Sequence, residues 1–165
     1  MVQKNEAINT TTMNIRRLGP NEAAIIAYLF DAYRQFYKQP SNLALAESYI
    51  KARLENNESV IFMATVEKDG KEVPAGFTQL YPRLSSVRAS KNWLLNDLFV
   101  DAAFRKQGIG EALIKAAMDF AKSEGATFVV LETAKDNYTA QSVYEAIGFI
   151  RQEPGSDFFS YKIDL

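Results

Sequence analysis

The run Leu98-Phe99-Val100-Asp101-Ala102-Ala103-Phe104-Arg105-Lys106-Gln107-Gly108-Ile109-Gly110 passes from an apolar stretch into a basic, glycine-bearing loop. Residues 93–100 are apolar on both faces except at Asn96 and Asp97, which predicts a strand interior to a sheet. Beyond the loop, Ile109, Ala112, Leu113, Ala116, Ala117 and Phe120 form one helical stripe that ends by Gly125. A strand that feeds a helix through glycines leaves the helix's first amides pointing outward, where the dipole favours negative charge. Two glycines let the backbone pass close to a bulky anion, and Arg105 and Lys106 add charge beside it. The expected ligand is a phosphate group, most simply a pyrophosphate. A loop of this composition also serves merely to turn a chain, so the run alone leaves both readings open. It is neither a P-loop, lacking Gly-Lys-Ser/Thr, nor a G-x-G-x-x-G fingerprint, since Gly110 is followed by Glu111-Ala112-Leu113.

Working outward, residues 13–18 predict a first strand, and Gly19-Pro20-Asn21-Glu22 opens a helix. Ile26, Leu29, Phe30, Tyr33 and Tyr37 are its expected inner face. A second helix starts near Ser41, with Leu45, Tyr49, Ile50 and Leu54 inward. Residues 59–66 and 73–81 predict two strands joined by a turn at Lys68-Asp69-Gly70-Lys71, with 82–90 as a polar loop. After the motif helix come a strand at 127–132, a helix at 138–147 stopping at Gly148, and strands at 149–152 and 158–163. The expectation is a mixed α/β fold: one domain over 13–165, with residues 1–12 a flexible extension. Strand, helix and strand near the centre imply a parallel pair.

Composition removes most alternatives. The chain of 165 residues has neither Cys nor His, which excludes thiolate nucleophiles, Ser–His–Asp arrangements and most zinc sites, so no metal is expected. A net charge of −1 gives no footprint for nucleic acid. No apolar run reaches membrane-spanning length and the start carries no secretory signal, so the cytoplasm is the expected compartment.

A second motif follows at Asn137-Tyr138-Thr139-Ala140-Gln141-Ser142-Val143-Tyr144-Glu145-Ala146-Ile147-Gly148-Phe149. Asn137 and Tyr144, seven apart, share one helical face. For Tyr144 alone, an aromatic packing beneath a sheet is the simpler reading. Together the two runs resemble the signatures of the GNAT acetyltransferases, R/Q-x-x-G-x-G/A after a strand ending in Val and N-x-x-A-x-x-x-Y-x-x-x-G-F. The resemblance covers the chain from Met13 onward.

It implies a central, mostly antiparallel sheet of about seven strands with a splayed parallel pair, flanked by about four helices. It implies acetyl-CoA as donor and a primary amine as acceptor, transferred directly without a metal. By the match, Arg105 and Lys106 flank the cofactor and the amides of Gln107, Gly108, Ile109, Gly110 and Glu111 hold its pyrophosphate. The backbone of Leu98, Phe99 and Val100 pairs with pantetheine. Asn137, with Ala140 in the same motif, contacts that arm, and Tyr144 protonates the departing thiolate, for which a phenol neutral at pH 7 is suited.

The base is carried by the same strand. Relatives that acetylate polyamines, which this strand resembles, place Glu where Asn96 stands, and an amide cannot accept the proton. Asp97 is therefore the candidate base and Asn96 a water or substrate contact, with a purely structural hydrogen bond as the other reading of Asp97. In a regular strand the two point to opposite faces, and a bulge would change that. Tyr33, Phe36, Tyr37, Tyr81 and Trp93 are candidates to wall the amine pocket, although aromatics at helical spacing also serve as core. The expected acceptor is a small molecule such as a polyamine or amino acid. A protein lysine or N-terminus, and a non-catalytic acetyl-CoA sensor, are the alternatives. A homodimer is the assembly the resemblance suggests.

Overall fold

A computed structural model describes residues 12–152. The elements are β1 (Met13–Arg17), α1 (Ala23–Phe36), α2 (Leu43–Glu55), β2 (Val60–Lys68), β3 (Lys71–Ser85) and β4 (Ser90–Val100). A 3₁₀ turn (Ala102–Phe104), α3 (Ile109–Ser123), β5 (Val129–Leu131) and α4 (Tyr138–Ile147) follow. They form two compact units, one through Glu132 and one from Thr133. The first holds a mixed α/β sheet in order β1-β2-β3-β4-β5, antiparallel except for the parallel pair β4/β5.

Each face of that sheet carries its own core. Ile26, Leu29 and Phe30 of α1 and Ala46, Ile50 and Leu54 of α2 cover Ile61, Met63, Phe77 and Phe99. On the other face Ile109 and Leu113 of α3 pack on Ala64, Val66 and Ala75. Alternation along β2 assigns Ile61 and Met63 to one side and Ala64 and Val66 to the other. The turn between β2 and β3 is as expected: Asp69 and Gly70 both take positive φ, 53° and 72°, as a primed hairpin turn requires.

Several boundaries differ from expectation. The sheet has five strands among the described residues, not about seven. Residues 149–152 form no strand: Gly148 ends α4 with φ 115°, and the amides of Gly148 and Phe149 turn back to the Tyr144 carbonyl. Arg151 then reaches back to Gln141 and Glu145 on the same helix, so this segment follows α4 rather than entering a ladder. The strand expected at 158–163, and most of the extension at 1–12, lie outside the described residues. Residues 82–85 continue β3, because the antiparallel ladder runs on to Ser85 opposite Ser90 and backbone pairing needs no apolar side chains. Leu45, Tyr49 and Tyr37 are 48%, 37% and 52% exposed; the buried stripe of α2 is narrower and runs through Ala46, Ile50 and Leu54.

The α1–α2 corner is fixed by a buried carboxylate. Asp31 accepts hydrogen bonds from Ser41 Oγ at 2.6 Å, the Asn42 amide at 2.8 Å and Gln35 Nε2 at 3.1 Å, with Arg34 at 3.3 Å. The Ser41 and Asn42 bonds hold its carboxyl below the usual aspartate range. A depressed carboxylate stabilises the fold above its unfolded value and loses that contribution as pH falls through the folded one. Thermal melts between pH 6 and pH 3 should therefore drop more steeply for the native protein than for Asp31→Asn. Parallel slopes would remove Asp31 from the acid response.

Candidate functional site

The site begins with a register shift. Gln79 pairs with Asp97 but Leu80 pairs with Leu95, so Asn96 is an extra residue in β4. The pairing with β5 covers residues 93–95 alone and stops where the bulge begins. Among the described residues, 96–100 therefore present an edge beyond the β5 ladder, held from the other side by β3. Leu98, Phe99 and Val100 all lie on it.

The bulge also changes faces. Asp97 turns toward α1 and α2, where it is 4% exposed. Gln79 Nε2 donates to its Oδ2 at 2.5 Å and Asn96 Nδ2 to its Oδ1 at 3.0 Å. Trp93, on the near side of the bulge, points to the α3 face, where its ring meets Phe120 at 5.1 Å. It is buried there and is not brought to the Asp97 group.

Beside Asp97 stand two tyrosines, Tyr33 and Tyr81. Tyr33 packs edge-on against Phe77 and Phe99. Burial foremost, then the charge of Asp97 and a hydrogen bond to it, push the Tyr33 hydroxyl far above the usual tyrosine value. Tyr81 is raised likewise by burial, by its bond to Tyr49 and by Asp97, and the two hydroxyls of Tyr49 and Tyr81 meet at 2.6 Å. Both Tyr33 and Tyr81 thus stay neutral donors beside the carboxylate. Tyr37 and Phe36 lie farther out, with ring centroids 5.0 Å from Tyr33 to Tyr37 and 5.2 Å from Tyr37 to Phe36, and form an exposed aromatic rim.

At the other end of the bulged edge lies the glycine loop. Arg105 Nε donates to the Val100 carbonyl at 3.0 Å and its guanidinium lies over Phe99. Lys106 and Gly108 both have left-handed φ, 61° and 79°. Gly108 caps α3 without any side-chain hydrogen bond, so the first-turn amides, among them Ile109, Gly110 and Glu111, lack intrahelical acceptors. A Cβ on Gly108 would meet no atom of the described residues within 4 Å. Uncapped amides, a positive helix end and open space in front of Gly108 suit a diphosphate, which is the feature acetyl-CoA would need here.

The second unit carries the other motif. Asn137 N-caps α4, its Oδ1 accepting from the Ala140 amide at 3.2 Å, as Asn commonly does at a helix start. Tyr144 is half-buried on this helix with its ring 6.0 Å from Phe149.

A family model described as the acetyltransferase (GNAT) family matches residues 24–149. The chain belongs to the GNAT acetyltransferase family. It is 45% identical over 153 residues to the uncharacterized N-acetyltransferase YhfO of Bacillus subtilis, covering 93% of this chain and 98% of that protein. A crystal structure of a probable acetyltransferase matches with TM-score 0.80 at 31% identity, over 92% of this chain and 99% of the other. The aminoglycoside N-acetyltransferase AAC(6')-Iy in complex with CoA shares the fold, with TM-score 0.73 at 21% identity, over 95% and 99% of the two chains. The protein is an acetyl-CoA-dependent acetyltransferase. No helix among the described residues is long and apolar enough to cross a membrane.

Ser59 and Gln79 were not legible as site residues. The signal was present: Gln79 is a lone amide in an otherwise apolar stretch of β3, which calls for a buried partner.

Proposed function

We propose that the protein acetylates the primary amine of a small, cationic molecule, a polyamine, amino acid or related amine, with Asp97 as the base. The observation that supports this most is the buried Asp97 carboxylate, whose hydrogen-bond donors Gln79 and Asn96 are neutral amides. An acceptor ammonium would find there a carboxylate that no cation among the described residues pairs with, between aromatic rings that favour a cation.

In this reading the amides of residues 107–111 hold the pyrophosphate of acetyl-CoA, with Arg105 and Lys106 beside it, and the open edge of Leu98, Phe99 and Val100 pairs with its pantetheine arm. Bound acetyl-CoA supplies an activated acetyl thioester. Asp97 takes a proton from the acceptor ammonium, Asn96 orients the amine or a water, and Tyr33 and Tyr81 hold hydrogen bonds without competing for that proton. On the motif match, Asn137 and Ala140 would contact the pantetheine arm, and Tyr144 would be the acid that protonates the thiolate as the amine displaces it. Tyr37 and Phe36 form the mouth through which the amine enters.

The experiment is thiol release from acetyl-CoA across polyamines, amino acids, aminoglycosides and lysine peptides. Release dependent on one class of small amine supports the reading. Release with lysine peptides alone would move the acceptor to a protein. Silence across the panel, with acetyl-CoA still raising the Tm, would leave a cofactor sensor. Tyr144→Phe tests the acid separately: turnover should fall about 10- to 100-fold, as for loss of one general acid, while acetyl-CoA affinity stays within about twofold. Loss of binding instead would make Tyr144 structural.

A further inference from the structure

Behind Asp97 lies a polar chain that the transfer reaction does not itself require. Gln79 is fully buried and Ser59 is 4% exposed. Ser59 Oγ donates to Gln79 Oε1 at 2.8 Å, and Gln79 Nε2 donates to Asp97 Oδ2 at 2.5 Å. The acceptor-only carboxylate fixes which end of the amide faces it, because Oε1 can only accept and Nε2 can only donate, and the Ser59 hydroxyl completes the amide by donating to the Oε1 that faces away. A buried polar pair on an apolar face costs stability unless it is fully bonded, so an apolar pair would hold β2 to β3 at least as well. The pair instead aims one donor at one oxygen of the candidate base.

We infer that Gln79 is a positioning residue for Asp97, with the far end of its amide held by Ser59, and that together they fix the carboxylate in the orientation that receives the acceptor's proton. The inference rests on Asp97 being the base. Among the described residues, the charged and titratable groups around it are Tyr33 and, next to that ring, Tyr37 from α1, Tyr81 from β3, and Tyr49 and Arg53 from α2 through Tyr81, with Glu58 paired to Arg53. Arg53 keeps its charge, and Tyr33 and Tyr81 are raised above their usual range. None of these three gains or loses a proton between pH 5 and 8.

Gln79→Glu keeps the shape and the bond from Ser59 but sets a second carboxylate against the first, so that the pair must share a proton. With an amine acceptor identified by the thiol-release panel, the acidic limb of kcat/KM against pH should move upward by about one unit or more. KM for acetyl-CoA should stay unchanged. The acceptor amine titrates alike with both proteins, so the difference belongs to the site. Ser59→Ala, which leaves Oε1 without its donor and the amide free to shift away from Asp97, should lower kcat about 3- to 30-fold with KM nearly constant, and Ser59→Thr should restore it. A lower Tm with the limb in place and kcat unchanged in both variants would overturn the inference and leave Gln79 a structural residue. If Gln79→Glu does not fold, the Ser59 pair decides alone. Asp97→Asn separates the two layers. Full activity in that variant removes the base and the inference with it, whereas loss of activity there beside an unmoved limb in Gln79→Glu overturns the positioning role only.

Discussion

Asp97→Asn is expected to lower kcat/KM about 10²- to 10⁴-fold, the range for removing one positioned base, while acetyl-CoA binds as before. The substitution is nearly isosteric: its oxygen can still accept from Gln79 Nε2, and the exposed Asn96 amide can turn its own oxygen to accept from the new Nδ2, so the packing around Tyr33 and Phe99 is kept. What disappears is the capacity to take a proton and the negative charge that attracts an ammonium. Burial is the foremost cause keeping Tyr33 protonated, so this phenol does not take over as base when the carboxylate is gone. The proposed cofactor cradle at residues 105–111 lies at the other end of the bulged edge, which is why donor affinity should be spared. Single-turnover thiol release at saturating acetyl-CoA, beside calorimetric titration of acetyl-CoA, reads the two quantities separately. An unchanged rate would reduce Asp97 to a hydrogen-bonding residue and leave the proton to water.

What made the strand-to-helix passage readable and the surroundings of Asp97 less so is the range over which each is determined. The strand-to-helix passage at residues 98–113 is local: glycine, charge and helical stripe all sit within sixteen residues, and the structure forms β4 and α3 there. The hairpin at Asp69-Gly70 is local in the same sense. The bulge at Asn96 is not, because it exists only as a mismatch between β4 and β3, and no pattern within residues 93–100 says which residue is extra. That one residue sends Asp97 toward the tyrosines and Trp93 toward Phe120, so the sequence could name both and still misplace Trp93. Residues 82–85 show the same limit from the other direction. Their side chains look like a loop, and the ladder with β4 makes them a strand. Tyr49 was expected to face inward and instead stands 37% exposed, with its hydroxyl on Tyr81.

Gly76→Ala is expected to destabilise the fold and to blunt the cofactor edge together. Gly76 lies opposite Val100 at the end of the β3/β4 ladder. A Cβ there would stand 2.7 Å from the Phe99 carbonyl oxygen, and 3.3 Å from both Leu113 Cδ1 and Val100 Cα. The first of these is backbone, so no side-chain rotation relieves it, and β4 must move away from β3. Overpacking of this kind costs about 1–3 kcal/mol, and each kcal/mol lowers Tm by about 2–4 °C at this chain length. Because the displaced segment is residues 99–100, whose open edge is the proposed pantetheine partner, acetyl-CoA affinity should fall along with stability. Gly110→Ala is the control. Its Cβ would sit 3.9 Å from Val100 Cγ2, an ordinary contact, and alanine favours a helix over glycine by about 1 kcal/mol. That variant should melt no lower than the native protein, so any loss of acetyl-CoA binding in it reports crowding at the helix end alone. Melting curves with and without acetyl-CoA on the two variants measure both effects. A Gly76→Ala protein with native Tm and native acetyl-CoA shift would mean that β3 and β4 can separate there freely, and would remove the close approach at Gly76 as the reason this edge keeps its shape.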